Sequence, residues 1–576
     1  MNSFIKNNYL DLIIAFCVSV LLTVVLSFEN KIAIDGDARD YYSYLTAIFI
    51  DHNFTHQTGN NWYLIETPTG TINLHTIGVS ILQAPFFFCA LVFAKLLGYA
   101  PNGYSLPFQI GIYFAGIFYC TIGLLFIKKL LLQLHIKPLY IATMIILCCF
   151  GTHLLNYAID EPGMPHVYAF ALTSMFFYLV INLFQKRQAK YFYLSAVIFG
   201  LIILVRPVNA ILLVFIPFFF QNRFDMFSSL RVLLRSKHLY FSFLLFVSIC
   251  SIQSMAWFAQ NGKLFQDSYA GNGFYFSHPQ IFKMLFGFNN GLFIYVPLCL
   301  LFLLGSISIL INNKFKGLVF IVSLAFIIYV FASYWAYNYF DGFGIRTLVD
   351  FLPIFIIAGA FMFQYFSPKL KYAASLMAVL FLFINLFHIY QYRSGIIKGN
   401  GMNFEKYAYI FLKTNKAFGD SLGGANELPL YSKTGSVLLF DNKTTSKETL
   451  IFDSVYNFAK QEYGAGYDYK VKKRVNNLYV IAEFERKEVS KNSSYNALLN
   501  IIGSDSANNN KLYLAYRLNE IPAKDCCDWK KCTLSIGVTG KFEPNDKLSF
   551  FIWNKDKSDF LIKNLNLKIF DYSYNI

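Results

Sequence analysis

Between residues 10 and 391 the chain repeats one pattern: an apolar run, then a polar loop. The runs fall near 10–28, 105–127, 138–157, 165–184, 191–205, 207–221, 239–258, 291–311, 317–335, 347–366 and 372–391. A helix crosses the hydrocarbon core of a bilayer with about 20 mostly apolar residues, so this pattern restricts the fold to a helical bundle with many membrane spans. Composition agrees. The 576 residues are 56% hydrophobic and 14% charged, more apolar surface than a soluble domain can hide. The segments 191–205 and 207–221 are short and share a break at Arg206-Pro207. They also read as one broken helical hairpin. The N-terminal MNSFIKNNYL and the apolar run after it lack a small-residue cleavage site and read as a retained first span.

Charge assigns the faces. The apolar stretch 76–97 holds Gln83 and Pro85 and is the ambiguous one. If it lies on or re-enters the outer face, 15 basic residues fall in short loops of one side, among them Lys128, Lys129, Lys137, Arg187, Arg231 and Lys371. The other side then holds seven: Lys31, Arg39, Lys95, Arg206, Lys263, Lys283 and Arg346. Cytoplasmic loops carry the excess of Lys and Arg. The expectation is therefore eleven crossings plus a re-entrant or interfacial helix, with the N-terminus cytoplasmic and the C-terminus outside. The 13 acidic residues before Gln391 are then sided too. Asp35, Asp37, Asp40, Asp51, Glu66, Asp160, Glu161, Asp267 and Asp341 all fall in outer loops. Carboxylates gathered at the mouth of a bundle point to proton transfer or cation chemistry there. The net charge of +16 is spread along the chain. It fits cytoplasmic loops and a basic domain near anionic lipid rather than nucleic acid.

After residue 391 the apolar runs shorten and alternate. In NLYVIAEFER, Leu478, Val480, Ala482 and Phe484 share a face; in NLNLKIF, Leu565, Leu567 and Ile569 do. KLYLAYRL, CTLSIGVTG and KLSFFIWN read as further strands. About eight short strands imply an antiparallel β-sandwich of the jelly-roll kind. The domain reading is a mainly α-helical polytopic unit over 1–391, a linker over 392–425 and an extracytoplasmic β-sandwich over 426–576. Seven of the ten cysteines sit in or beside apolar spans and act as small hydrophobes. Cys526, Cys527 and Cys532 read as one disulfide with a spare thiol. Zinc is disfavoured there, since no His follows His388.

Four constellations carry candidate chemistry. The first outer loop, IAIDGDARDYYSYLTAIFIDHNF, places Asp35, Asp37 and Asp40 before a helix-spaced surface segment. Its bland reading is that Asp37 caps that helix. The loop GTHLLNYAIDEPGMPHVYAF presents Asp160, Glu161 and His166, or is simply a polar turn. In ILVRPVNA, Arg206 interrupts apolar sequence, a costly place unless it faces water or an anion. Its planar fork suits phosphate. YWAYNYFDGFGIRTLVDFLP sets Asp341 and Arg346 at an outer helix mouth. Walker, HExxH, GxGxxG and CxxC motifs are absent. The one GxSxG match, Gly419 to Gly423, has no following His and reads as chance.

Taken in order, the Asp motif after the first span, GTINLHTIGVSILQAPFF, the EPGMPH loop, VRPVN and LFGFNNGLFIYVP resemble the GT-C superfamily of integral-membrane glycosyltransferases. That superfamily includes protein O-mannosyltransferases and lipid A aminoarabinose transferases. The resemblance covers roughly residues 1–391 and is similar to a bacterial subfamily. It implies a multi-pass protein of the bacterial cytoplasmic membrane that uses a polyprenyl-phosphate sugar donor on the outer face. The acceptor would be a glycan, lipid or protein. Asp37 maps to the general base, with Asp35 as rival, because the mannosyltransferase pattern commonly has Asp-Glu there. Asp40, Asp160, Glu161, His166, Arg206, Asp341 and Arg346 are the implied substrate-binding residues. A divalent cation at Asp35 and Asp37 stays open; no nucleotide cofactor is expected. The chemistry fits on its own terms: a phosphate leaving group needs no general acid, so one carboxylate suffices for an inverting displacement. The β domain would position an acceptor, with loop aromatics such as Trp529 free to stack on a sugar, whereas Trp553 falls in a strand and reads as core instead. A lipid-linked-sugar transporter would instead show internal repeats and mid-span charges, and a glycan-binding anchor would need no carboxylate cluster.

Overall fold

The computed structural model describes every residue except 1, 30–31, 56–63, 68–69, 267–272, 424–436, 442–454, 491–493, 495, 520, 522–526 and 572–576. Cys526 and Asp267 fall in those segments, as does the Glu66 side chain. The disulfide expectation therefore lies outside the described residues.

The chain divides into two units. The first comprises Met1–Ala270, Leu292–Ala332 and Phe343–Ile389. It is a multi-pass membrane unit with a helical core. Among the described residues eight helices are long and apolar enough to cross a membrane: Asn8–Leu26, Gly78–Leu96, Leu106–Gln133, Pro165–Lys186, Lys237–Asn261, Lys314–Ala332, Arg346–Tyr365 and Pro368–Arg393. Pro207–Phe219 and Arg223–Leu234 would add a ninth, as one span bent by 117°. Three further apolar helices, Pro138–Phe150, Ala189–Val205 and Pro297–Asn312, are shorter. The expected eleven spans thus resolve into long helices and broken ones, and the breaks have local causes. The run 138–157 ends its first helix at Gly151 and restarts as Leu154–Ile159. Pro297 separates Leu292–Tyr295 from Pro297–Leu303, since proline cannot donate to the preceding turn. The ambiguous stretch forms Gly78–Leu96, a helix with Pro85 inside it and long enough to span.

The two ends of this unit differ in chemistry. At one end the basic segments meet each other. Lys128 pairs with Asp11, the Lys137 amide donates to Gln364 (2.8 Å), Lys371 reaches Tyr140 (3.2 Å), and Asn313 donates to the Gln221 carbonyl (2.9 Å). The Leu106–Gln133 helix, whose last turns carry Lys128, begins at the opposite end. There Gln109 accepts from the amides of Ala33 and Ile34 (2.8 and 2.9 Å), just before the acidic loop.

The second unit comprises Gly271–Gly291, Ser333–Gly342 and Tyr390–Ile576. With β1 (Leu64–Thr67) and β2 (Gly70–Asn73) forming a hairpin in the first unit, its strands are β3 (Val437–Asp441), β4 (Tyr456–Asn457), β5 (Tyr463–Lys470), β6 (Val475–Glu488), β7 (Ala497–Ser504), β8 (Asn510–Arg517), β9 (Lys530–Phe542), β10 (Lys547–Asn554) and β11 (Phe560–Asp571). They make two antiparallel sheets, ordered β3-β11-β6-β9, with β4 also on β11, and β5-β10-β7-β8. The alternation read from the sequence is the buried pattern. Leu478, Val480, Ala482 and Phe484 join Leu565, Leu567 and Ile569 in one core with Leu499, Ile501, Phe550 and Ile552 of the other sheet. Strand side chains alternate between faces, so Trp553 points away from that core. Its ring lies within 10° of parallel to Tyr463, 6.4 Å between centroids. Trp529 is covered by the Lys563 ammonium, 4.3 Å from its ring centre. Residues 390–422 carry two short helices, Phe404–Ile410 and Ala417–Asp420, the first capped by Asn403.

Candidate functional site

The acidic end of the membrane unit is assembled from segments far apart in sequence. Asp37 opens the Asp37–Phe49 helix, but its side chain is not a cap. Gly36 holds the N-cap position at φ +53°, and no side chain bonds to the free amides. Asp37 instead pairs with Arg346, Oδ2 to Nη2 at 3.0 Å, and both remain partly exposed, at 22% and 17%. Asp35 is exposed. Asp40, one turn beyond Asp37, is buried and lies 3.9 Å from His75. It therefore belongs to the wall of the site and not to its open face.

Arg206 breaks the helical course after Ala189–Val205, in extended backbone. Its Nη1 donates to Asp350 Oδ2 at 3.0 Å. Asn209 donates to the same oxygen (2.8 Å), and His166 Nδ1 lies 2.9 Å from Oδ1. Asp350 is fully buried. An ionised carboxylate only accepts, so His166 carries its proton on Nδ1. Tyr157 packs its ring edge-on to His166, 5.0 Å between centroids. The helices that begin with His166 and with Arg346 to Asp350 are the two most deeply enclosed of the eight.

Close backbone approach sets these pieces together. A Cβ on Gly163 would come 2.6 Å from the Ala38 Cβ and 2.7 Å from the Ala33 oxygen, so only glycine lets the EPGMPH loop press on the Asp motif. A Cβ on Gly78 would overlap the Leu204 carbonyl, and Thr76 donates to the Val205 carbonyl (3.0 Å). Those contacts bring His75 beside Arg206. Tyr44 fixes the same segment through the His75 carbonyl (2.7 Å), and Asn73 donates to the Asp40 carbonyl (2.8 Å) and to Ser43.

The groups share one field. Burial alone would raise Asp37, yet its ion pair with the Arg346 guanidinium holds its carboxyl below the usual range. Burial, and then the Asp37 charge, push Asp40 up to about 7 against the pull of Arg39. Burial brings His75 down to about 4, more than Asp37 restores against Arg346 and Arg206. A carboxyl of lowered proton affinity, a second of raised affinity and an imidazole of lowered affinity thus share this end of the unit, a pattern of separated proton affinities that suits acid–base work.

Of the residues singled out from the sequence, Asp37, His166, Arg206 and Arg346 come together here. Glu161 accepts from Asn156 (3.2 Å) in the neighbouring loop, with Asp160 at the end of Leu154–Ile159. Asp341 is exposed and belongs to the second unit. Three residues of the cluster were not singled out as site residues: Asp350, Asn209 and His75. Asp350 had a signal, a carboxylate inside an apolar span, which requires a partner. Among the described residues no group of three or more His, Cys, Asp or Glu has the arrangement to hold a metal ion. No family profile matches the chain, and no curated protein matches it.

Proposed function

We propose that the protein transfers a sugar from a polyprenyl-phosphate-linked donor to an extracytoplasmic acceptor, with inversion, and that Asp37 is the general base. One observation carries the reading. A partly exposed carboxylate, Asp37, pairs with Arg346 at 3.0 Å, and a second arginine, Arg206, anchored by the buried Asp350, acts on the same two histidines as Arg346. In that arrangement Asp37 takes the acceptor hydroxyl proton as the oxygen attacks the anomeric carbon, and Arg206 and Arg346 receive the charge that builds on the departing phosphate. The His75 imidazole, its proton affinity lowered by burial, supplies polarity without competing for the anion.

The finer topology belongs to this proposal: eleven crossings, with the acidic end outside and the basic end cytoplasmic. So does the β domain. Apart from the β7–β8 hairpin, successive strands from β4 onward alternate between the sheets, the order of a jelly roll. Its outward Tyr463 and Trp553, more than the Lys563-covered Trp529, are the aromatic surface on which an acceptor glycan would stack. Membranes containing the protein, offered a panel of polyprenyl-phosphate sugars, should release polyprenyl phosphate from one of them. No release from any donor, in the presence of short glycan, lipid and peptide acceptors, would count against the reading.

A further inference from the structure

The two arginines are held in different ways. Arg206 has a permanent counter-ion in Asp350, a buried carboxylate whose two oxygens take Arg206, Asn209 and His166. Arg346 is paired at 3.0 Å with Asp37, the residue that must act as base, and both members of that pair are partly open to solvent. A carboxylate engaged by a guanidinium has one oxygen occupied and a lowered affinity for protons, so it is a poor base in that state. The same guanidinium, with its fork of donors, is also the group best suited to a phosphodiester.

We infer that Arg346 exchanges partners: it pairs with Asp37 while the site is empty and turns to the donor's phosphodiester when the donor binds, so that donor binding itself uncovers the base. This rests on the glycosyl-transfer reading. The arriving phosphodiester brings one negative charge. It draws Arg346 away and leaves Asp37 with an anion in place of a cation nearby. The other groups acting on Asp37 are His75 from the segment after β2 and His166 from the Pro165–Lys186 helix, with Asp40 on its own helix, itself acted on by Arg39. None of them replaces the lost ion pair at 3.0 Å. Transfer then balances: the acceptor oxygen bonds to the anomeric carbon, the bond from that carbon to the phosphate oxygen breaks with its electron pair going to phosphate, and the acceptor proton goes to Asp37. Arg346 and Arg206 hold the new phosphate charge. When the lipid phosphate leaves, Asp37 gives its proton to water and Arg346 returns. An acceptor that arrives first therefore meets a masked base, which sets the order of binding as donor before acceptor.

Removing the competitor should strengthen donor binding. The probe is a short-chain polyprenyl methyl phosphate, a phosphodiester with no sugar to transfer, titrated against full-length protein in lipid nanodiscs. Asp37→Asn should bind it about five-fold more tightly than the parent, or more, and Asp37→Ser should shift the same way. Asp51→Asn, which removes an exposed carboxylate at the far end of the same helix, should change affinity little. In an Arg346→Ala background, where only the repulsion between Asp37 and the phosphodiester is relieved, the gain from Asp37→Asn should fall clearly below its value in the parent. Affinity that is unchanged or weaker in both folded Asp37 variants would overturn the exchange and leave the proposed reaction standing. A parent protein that binds no phosphodiester at all would overturn the reaction with it.

Discussion

The buried ion pair Arg206–Asp350 is the mechanical anchor of the site, and its worth can be measured. Asp350 is fully buried and Arg206 is 14% exposed. Asp350→Asn keeps the shape but removes the charge that accepts from Arg206, Asn209 and His166. Removing one partner of a buried pair typically costs about 3–5 kcal/mol, because the other charge is left uncompensated. Arg206→Met strands Asp350 in the same way, eased by the donors from Asn209 and His166. The double variant strands neither charge. Its cost should fall short of the sum of the singles by about 2 kcal/mol or more, within the coupling range of residues in direct contact. The assay is detergent-driven unfolding in mixed micelles, followed by tryptophan fluorescence, for the four members of the cycle. Additive costs, or an Asp350→Asn penalty under about 1 kcal/mol, where a single hydrogen bond would place it, would refute the anchor.

Three further outcomes are expected. Reporter fusions at Lys137 and at Asp420 should give opposite signals, since the first lies among the basic segments and the second follows the last span; matching signals would remove the sidedness. Arg206→Ala should slow use of the lipid-phosphate donor about ten-fold or more, the worth of a lost charge-assisted hydrogen bond. Arg206→Lys should fall between it and the parent, and equal rates per folded molecule would make Arg206 purely structural. Asp40 should make stability depend on pH. Its native carboxyl holds a proton up to about 7, against about 3.9 unfolded, so its stabilising contribution is complete below about pH 4 and is lost as pH rises through about 7. Unfolding measured from pH 4 to 8 should show that decline in the parent and a flatter profile in Asp40→Asn; parallel profiles would contradict it.

Patterns of long range were legible in the sequence, and pairings were not. The apolar runs gave the helical membrane unit because a 20-residue apolar stretch has few other uses. The two-residue alternation in NLYVIAEFER and NLNLKIF gave the inward faces of β6 and β11 because strand geometry leaves no choice of face. Arg206 stood out because a charge is costly within apolar sequence; Asp37, His166 and Arg346 stood out as polar groups gathered in outer loops and at a helix mouth. Asp350 and Arg206, 144 positions apart, satisfy each other, and one sequence contains no trace of that pairing. His75, within GTINLHTIGVSILQAPFF, was not singled out, since the Gly78 contact that brings it to Arg206 exists only after folding. Asp40 was read as substrate-binding beside Asp37 in the loop, but the turn of the helix buries Asp40 and leaves Asp37 partly exposed. Segments 271–291 and 333–342 group with the β-rich unit, a tertiary choice that local composition does not encode. The breaks at Gly151 and Pro297 lay within reach, because both residues are read directly as helix punctuation.

The most direct test of the central claim is turnover of a polyprenyl-phosphate sugar by purified Asp37→Asn protein, with donor binding and folding measured on the same sample. Asparagine keeps the size of aspartate and costs the helix no cap, since Asp37 makes none. It cannot take the acceptor's proton. General-base assistance is worth about 10²- to 10⁴-fold in rate, so turnover should fall by that factor while the donor still binds. Near-parental turnover per folded molecule would contradict the account. A loss found in Asp35→Asn alone would move the base by two positions.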